Sequence, residues 1–191
     1  MKLQPVVSTP PNKEATMKRS PLSGRVLWLM GPTSSGKSTL AEYFLTQWRL
    51  HGESVVHYDG DEVRDFFGSS HGFNAEDRLR VVKTLTALAN KASEAGLLCI
   101  VSALTANGDA RTHIQKNIPS LIIGYVNCPI EECARRDPKG LYALAKNGEV
   151  DTLIGWNSPY EPPPNPDITL DTQHYQPHDL FKQVDAFLRD V

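Results

Sequence analysis

The sequence has little of what marks an oxidised, membrane-spanning or polyanion-binding protein. It holds three cysteines, Cys99, Cys128 and Cys133, with no CxxC pair. An odd count without paired spacing argues against a disulfide framework and a zinc site. It suits a reducing compartment, so a cytoplasmic location is expected. No stretch approaches the roughly 20 apolar residues that a membrane helix needs, and no membrane association is expected. Charge of one sign is also lacking. Lysine plus arginine is 20, aspartate plus glutamate is 22, and the net charge is −2. A generic nucleic-acid binder needs a basic surplus, so any phosphate binding here must be local.

What is present is an ordinary globular composition, 40% hydrophobic and 22% charged in 191 residues. That length fits one domain with a real core. Residues 1–23 are polar, carry Pro5, Pro10, Pro11 and Pro21, and have no apolar segment like that of a signal peptide. They are expected to form a flexible lead-in to a single domain over residues 24–191.

Strand and helix signals alternate along that domain. Arg25–Met30 is a short apolar run ended by Gly31, which reads as a buried strand. Lys37–Leu50 follows as a helix, with Leu40, Phe44, Leu45 and Trp48 on roughly one face and Gly52 beyond its end. Ser54–Tyr58 reads as a second strand. Asn74 can cap a long helix over Ala75–Ala95, striped by Val81, Val82, Leu85, Leu88 and Ala92. Leu97–Ala103 is the most continuous apolar run and is expected to be a central parallel strand. Leu121–Val126 and Ile168–Leu170 are further strands. Ile130–Arg136, Leu141–Lys146 and His178–Val191 are expected helices. Five prolines between Asn157 and Asp167 make that stretch a surface crossing. The alternation predicts an α/β fold, a mostly parallel five-stranded sheet with helices on both faces.

One motif carries chemistry at every fixed position. Gly31-Pro-Thr-Ser34-Ser35-Gly36-Lys37-Ser38 matches GxxxxGK[ST], between a strand and a helix. Glycine lets the backbone curl until successive N–H groups face a phosphate, and the helix adds its positive N-terminal end. Lys37 can reach the β- and γ-phosphates of a nucleoside triphosphate. The Ser38 hydroxyl is the candidate magnesium ligand, and Thr39 follows it on the same turn. No NKxD base-reading motif of a switch GTPase is present. After the second strand comes Asp59-Gly-Asp61-Glu-Val-Arg64, at the end of a parallel strand where such sheets bind ligands. Two carboxylates two residues apart there can hold metal waters and accept a hydroxyl proton, and Arg64 can grip an anion. The set points to a P-loop kinase for a small molecule.

From about Gly24 to Thr172 the chain resembles the adenylylsulfate (APS) kinase family, which uses ATP to phosphorylate the 3′-hydroxyl of APS. Five blocks carry the resemblance in the expected order: the P-loop; Asp59-Gly-Asp-Glu-Val-Arg64; Gly72-Phe-Asn-Ala-Glu-Asp-Arg78; Gly96-Leu-Leu-Cys-Ile-Val-Ser102; and Cys128-Pro through Arg136-Asp-Pro-Lys139-Gly-Leu-Tyr142 to Ser158-Pro-Tyr160-Glu. The resemblance implies a P-loop kinase fold, MgATP as phosphoryl donor, a nucleotide acceptor, a role in sulfate assimilation and a homodimer. It implies Asp61 as base for the acceptor hydroxyl, with Asp59 supporting it or the metal. Arg64 and Arg78 would contact the acceptor's phosphate side, Phe73 would stack on its base, and Lys139 would lie in a moving lid. Arg135 or Arg136 would sit against the ATP adenine. Leu104 and Thr105 fall in the family's acceptor loop. Thr105 takes the place of a serine that can carry phosphate, and is expected to act first through its backbone.

The departures cluster on the acceptor side. Val81 replaces an asparagine that touches the acceptor, and Lys83 replaces an arginine. Leu153 replaces the phenylalanine that forms the second wall around the acceptor base, with Trp156 near it. Loss of one aromatic wall costs about 1–3 kcal/mol of stacking, enough to change acceptor preference without removing kinase chemistry. A different nucleotide acceptor, such as a cytidine diphosphate derivative used in surface-polysaccharide synthesis, is the alternative. A non-catalytic, nucleotide-binding regulatory subunit is a third reading, against which the intact Lys37, Ser38, Asp59 and Asp61 argue.

Overall fold

In the computed structural model, residues 19–68 and 74–191 are described. Five strands form one parallel sheet: β1 (Val26–Met30), β2 (Val55–Asp59), β3 (Leu98–Ala103), β4 (Leu121–Asn127) and β5 (Ile168–Asp171). Their spatial order is β2-β3-β1-β4-β5. β1 sits at the centre, pairing Val26 with Cys99 of β3 on one side and with Leu121 of β4 on the other.

Period-two alternation along β1 divides the core. Leu27 and Leu29 face the layer formed by α1 (Lys37–Leu50) and α7 (Pro177–Asp190), with Leu40, Phe44, Trp48, Leu180 and Val184. Val26, Trp28 and Met30 face the opposite layer of α3 (Ala75–Glu94) and α4 (Gly108–Asn117), with Val82, Leu85, Ala89 and Ile114. A third, smaller cluster lies above the strand ends. It packs Cys133 of α5 (Ile130–Arg136) and Tyr142 of α6 (Leu141–Lys146) with Cys128 and Leu153.

The expected strands and long helices form within a residue or two of their expected bounds. Two helices lie where none was expected. α2 (Gly60–Asp65) is a single short turn capped by the Asp59 side chain. α4 buries only Ala110 and Ile114, so its apolar period is faint. Its local signal is the cap: Asn107 Oδ1 accepts from the N–H groups of Asp109 and Ala110. Within the expected lead-in over residues 1–23, Leu22 is completely buried in the α1–α7 core and Ser23 Oγ donates to Gly96 O at 2.8 Å. Residues 1–18 of that lead-in lie outside the described residues.

Candidate active site

A cleft of about 710 Å³ opens over the carboxyl ends of β1, β2, β3 and β5. Its floor is the loop after β1. Gly36 holds φ of 96° and Ser34 φ of 63°, the left-handed turns that curl the loop. Gly31 is fixed by close approach, since a Cβ there would lie 2.5 Å from Val126 O. Of the expected phosphate-site residues, Ser34, Gly36, Lys37, Ser38 and Thr39 line the cleft. Gly31 and Ser35 are not among the residues that line it. Ser35 is buried and its N–H donates to Pro32 O.

Lys37 folds back over the loop and donates to Pro32 O at 2.7 Å. Burial pushes its ammonium down to about 8, against the opposing pull of Asp61 and Asp59. Ser38 sits on the first turn of α1 and its Oγ donates to Asp59 Oδ2 at 2.6 Å. Ser102, at the end of β3, donates to the same oxygen at 2.6 Å, and the Asp61 N–H donates to Oδ1 at 2.8 Å. Burial alone would raise the Asp59 carboxyl. Hydrogen bonds from Ser102, Ser38 and Asp61 outweigh it and hold the group below its ordinary value, as a carboxylate. Behind them, His57 Nε2 lies 2.9 Å from Ser102 Oγ.

At the β5 end, Arg136 closes the cleft. Its Nη2 donates to Thr172 O at 2.7 Å, its Nε pairs with Glu132, and Thr172 Oγ1 donates to Ser35 O. Arg135 lines the rim but is largely exposed and is held by Glu132 through two hydrogen bonds. Of the two expected arginines, Arg136 therefore sits against the phosphate loop. Gln173, Tyr175, Gln176 and Pro177 complete this end. Sequence reasoning missed them, because they carry no motif and are brought in only by the turn after β5.

The other end of the cleft is built from α2, α3 and the loop after β3. Arg64 and Arg78 line it, with Leu79, Val81, Leu104 and Thr105. Arg78 Nη2 donates to Thr152 O at 2.8 Å, and burial with the Arg64 charge pushes its guanidinium down. Thr105 is buried with φ of 42°. Its Oγ1 accepts from Trp28 Nε1 at 2.9 Å and its carbonyl accepts from Arg111 Nε at 2.9 Å. The Thr105 hydroxyl is thus buried and bonded inside the domain. Arg111 also donates to Pro162 O at 3.2 Å and to Glu161 O, and lies 5.8 Å from the Tyr160 ring centre. It thereby ties the loop after β3 to the proline-rich crossing, a link that its place between motifs did not signal.

Above the cleft, Lys139 Nζ forms an ion pair with Asp61 Oδ2, both side chains being more than half exposed. Leu153 does not line the cleft. It is buried among Cys128, Cys133, Tyr142 and Ala145, and its neighbour Ile154 faces the cleft instead. The apolar lid cluster draws in a leucine more strongly than an open rim does. Trp156 is 46% exposed and rests edge-on to Tyr142 with ring centres 6.0 Å apart. Phe73 lies outside the described residues.

No helix among the described residues is long and apolar enough to cross a membrane. The family model for adenylylsulphate kinase matches residues 23–171. The adenylyl-sulfate kinase of Clostridium acetobutylicum is 35% identical over 162 residues, 84% of this chain and 80% of its own length. The bifunctional enzyme NodQ of Rhizobium tropici is 37% identical over 166 residues, 86% of this chain but 26% of that longer protein. The Mycobacterium tuberculosis APS kinase CysC, solved in complex with AMPPNP and APS, superposes with a TM-score of 0.82 at 30% identity, covering 87% of this chain and 98% of that one. A matching family model over most of its length, relatives above 30% identity and a shared five-stranded P-loop architecture place this chain in the adenylylsulphate kinase family.

Proposed function

We propose that this protein transfers the γ-phosphoryl group of ATP to the 3′-hydroxyl of adenylylsulfate. One observation carries the reading: a single cleft brings the phosphate loop with Lys37 and Ser38 within reach of Asp61, Lys139, Arg64 and Arg78. ATP would place its phosphates over the N–H groups of the loop and its adenine between Arg136 and the Gln173–Pro177 turn. The acceptor would lie over α2 and α3, its anionic end against Arg64 and Arg78.

Asp61 would take the proton from the acceptor hydroxyl as that oxygen bonds to the γ-phosphorus and the bond to the ADP oxygen breaks. Lys37 and Lys139 would face the charge on the transferring group. The Lys139–Asp61 pair is exposed, and such pairs are worth about 0.2–1 kcal/mol, so an incoming hydroxyl can displace it. Magnesium fits the donor set, because Ser38 Oγ beside the Asp59 carboxylate offers hard oxygen atoms and nothing soft. When bound there it would offset charge on the β- and γ-oxygens. Closure of the Lys139–Trp156 region would exclude water. A homodimer is the expected assembly, and light scattering of the purified protein checks it.

The second reading, a different nucleotide acceptor, is favoured by Val81 in the cleft wall and by Leu153 buried in the lid. Magnesium- and ATP-dependent turnover is to be measured with APS, adenosine phosphates and cytidine diphosphate derivatives. Preferential turnover of APS supports the first reading. Turnover of another nucleotide alone overturns it in favour of the second.

A further inference from the structure

The half-buried His57 lies outside every element of the reaction described above, yet it ends a continuous line of polar atoms leading to Ser38. It sits two residues before Asp59 on β2, and the strand register sets Asp59 beside Ser102 of β3. Its Nε2 is 2.9 Å from Ser102 Oγ, Ser102 Oγ is 2.6 Å from Asp59 Oδ2, and Ser38 Oγ is 2.6 Å from that same Oδ2.

Proton counting fixes the direction of this line. Asp59 is a carboxylate, so it only accepts. Each serine hydroxyl has one proton. Two hydroxyl oxygens at 2.6 Å from one carboxylate oxygen must both point their protons at it, since lone pairs facing each other at that distance repel. Ser102 then has only lone pairs left for His57, and His57 must present Nε2–H to it. At the far end, Ser38 has its proton turned to Asp59 and its lone pairs turned elsewhere.

We propose that His57 is a positioning residue for the cation-binding hydroxyl of Ser38. By donating to Ser102, it keeps the Ser102 proton on Asp59 Oδ2 and so holds that oxygen where it receives the Ser38 proton. Ser38 Oγ is thereby left as a lone-pair donor toward the phosphate loop. This rests on the reading of Ser38 as the magnesium ligand of a nucleotide kinase.

The first test is made on the protein without ligands. Nitrogen-15 NMR of the histidine rings should show His57 as the Nε2–H tautomer, and an Nδ1–H tautomer overturns the proposal. The second compares His57→Leu with His57→Gln, whose amide keeps a donor. Binding of ATP is followed by calorimetry with magnesium and with EDTA, in the absence of any acceptor. Loss of one hydrogen bond to a buried hydroxyl should raise the magnesium requirement of the leucine variant about threefold to tenfold. ATP affinity in EDTA should stay within about twofold, and glutamine should restore most of the magnesium effect. An unchanged magnesium requirement, or an equal loss with and without magnesium, overturns the proposal. The tautomer and ATP binding do not involve the acceptor. If the wild type fails to turn over APS, the acceptor reading fails while these outcomes still decide the role of His57.

Discussion

The two ends of the cleft are built by different means. At the phosphate end, backbone and buried polar atoms fix everything. Gly31 has no space for a Cβ, and Asp59 accepts hydrogen bonds on both oxygens from three donors. At the α2–α3 end, proposed above for the acceptor, long side chains and apolar walls line the cleft: Arg64 and Arg78 beside Val81 and Leu104, with an exposed Lys139–Asp61 pair above. A packed hydrogen-bond network has few alternatives, because each unpaired member costs about 1–3 kcal/mol. Arginines over an apolar wall can meet several anionic ligands. One fold can therefore keep its phosphoryl-transfer chemistry while its acceptor changes.

Removing chemistry from each end should give the largest effects. Asp61→Ala is expected to lower kcat about 100- to 10,000-fold, as loss of a positioned base does, with ATP affinity little changed. Lys37→Ala is expected to lower kcat at least about 100-fold, the size of losing one group that faces transition-state charge, and also to weaken ATP binding. Steady-state kinetics with calorimetric ATP affinities separates the two. Turnover that survives Asp61→Ala removes the base from Asp61.

The phosphate end should also be the pH-sensitive one for ATP. Lys37 has its ammonium lowered by burial to about 8. The cationic form that binds phosphate is complete below that value and is lost as pH rises through it. ATP affinity should be flat below about pH 7 and fall above pH 8, by up to about tenfold per pH unit. Binding near pH 8 should take up a proton. Lys37→Arg should flatten the profile, since a guanidinium stays charged. Calorimetry in buffers of different ionisation enthalpy measures both. A flat wild-type profile to pH 9.5 contradicts the lowered value.

The curl of the loop after β1 was legible in the sequence because its signal is local. The spacing from Gly31 to Ser38 sets the loop, and Asp59 and Asp61 follow one strand end. The sheet was legible because each strand is an apolar run. What stayed hidden depends on contacts far apart in the chain. Leu153 reads as a cleft residue by position, but the lid cluster takes it in. Helix α4 hides because its polar surface is broken only at Ala110 and Ile114. The bond from Trp28 to Thr105 spans 77 residues, and nothing in either residue's neighbourhood announces it.

At the acceptor end the expected effects are smaller and selective. Val81→Asn puts an amide into the apolar wall of the cleft. With APS as acceptor it should lower KM about threefold to tenfold if the amide finds a partner on the nucleotide, leaving the KM for ATP unchanged. Val81 is also nearly buried within the α3 layer, so a thermal melt must accompany the kinetics. A raised KM at unchanged Tm would show that the wild-type wall suits an apolar part of its acceptor.

The subtlest difference between the two ends lies in Arg111. At the cleft it bonds Thr105 O, at the end proposed for the acceptor, and it reaches the crossing at Glu161 and Pro162. Arg111→Gln keeps the helix but loses the fork that spans both segments. It should raise the acceptor KM severalfold, the effect of a hydrogen bond or two at about 1 kcal/mol each, and leave ATP affinity alone. Arg111→Lys should resemble the glutamine variant, because charge without the fork cannot bridge both segments. If lysine restores the wild-type KM, or if ATP affinity falls in step, the tie belongs to overall stability and the two ends are less separate than their construction implies.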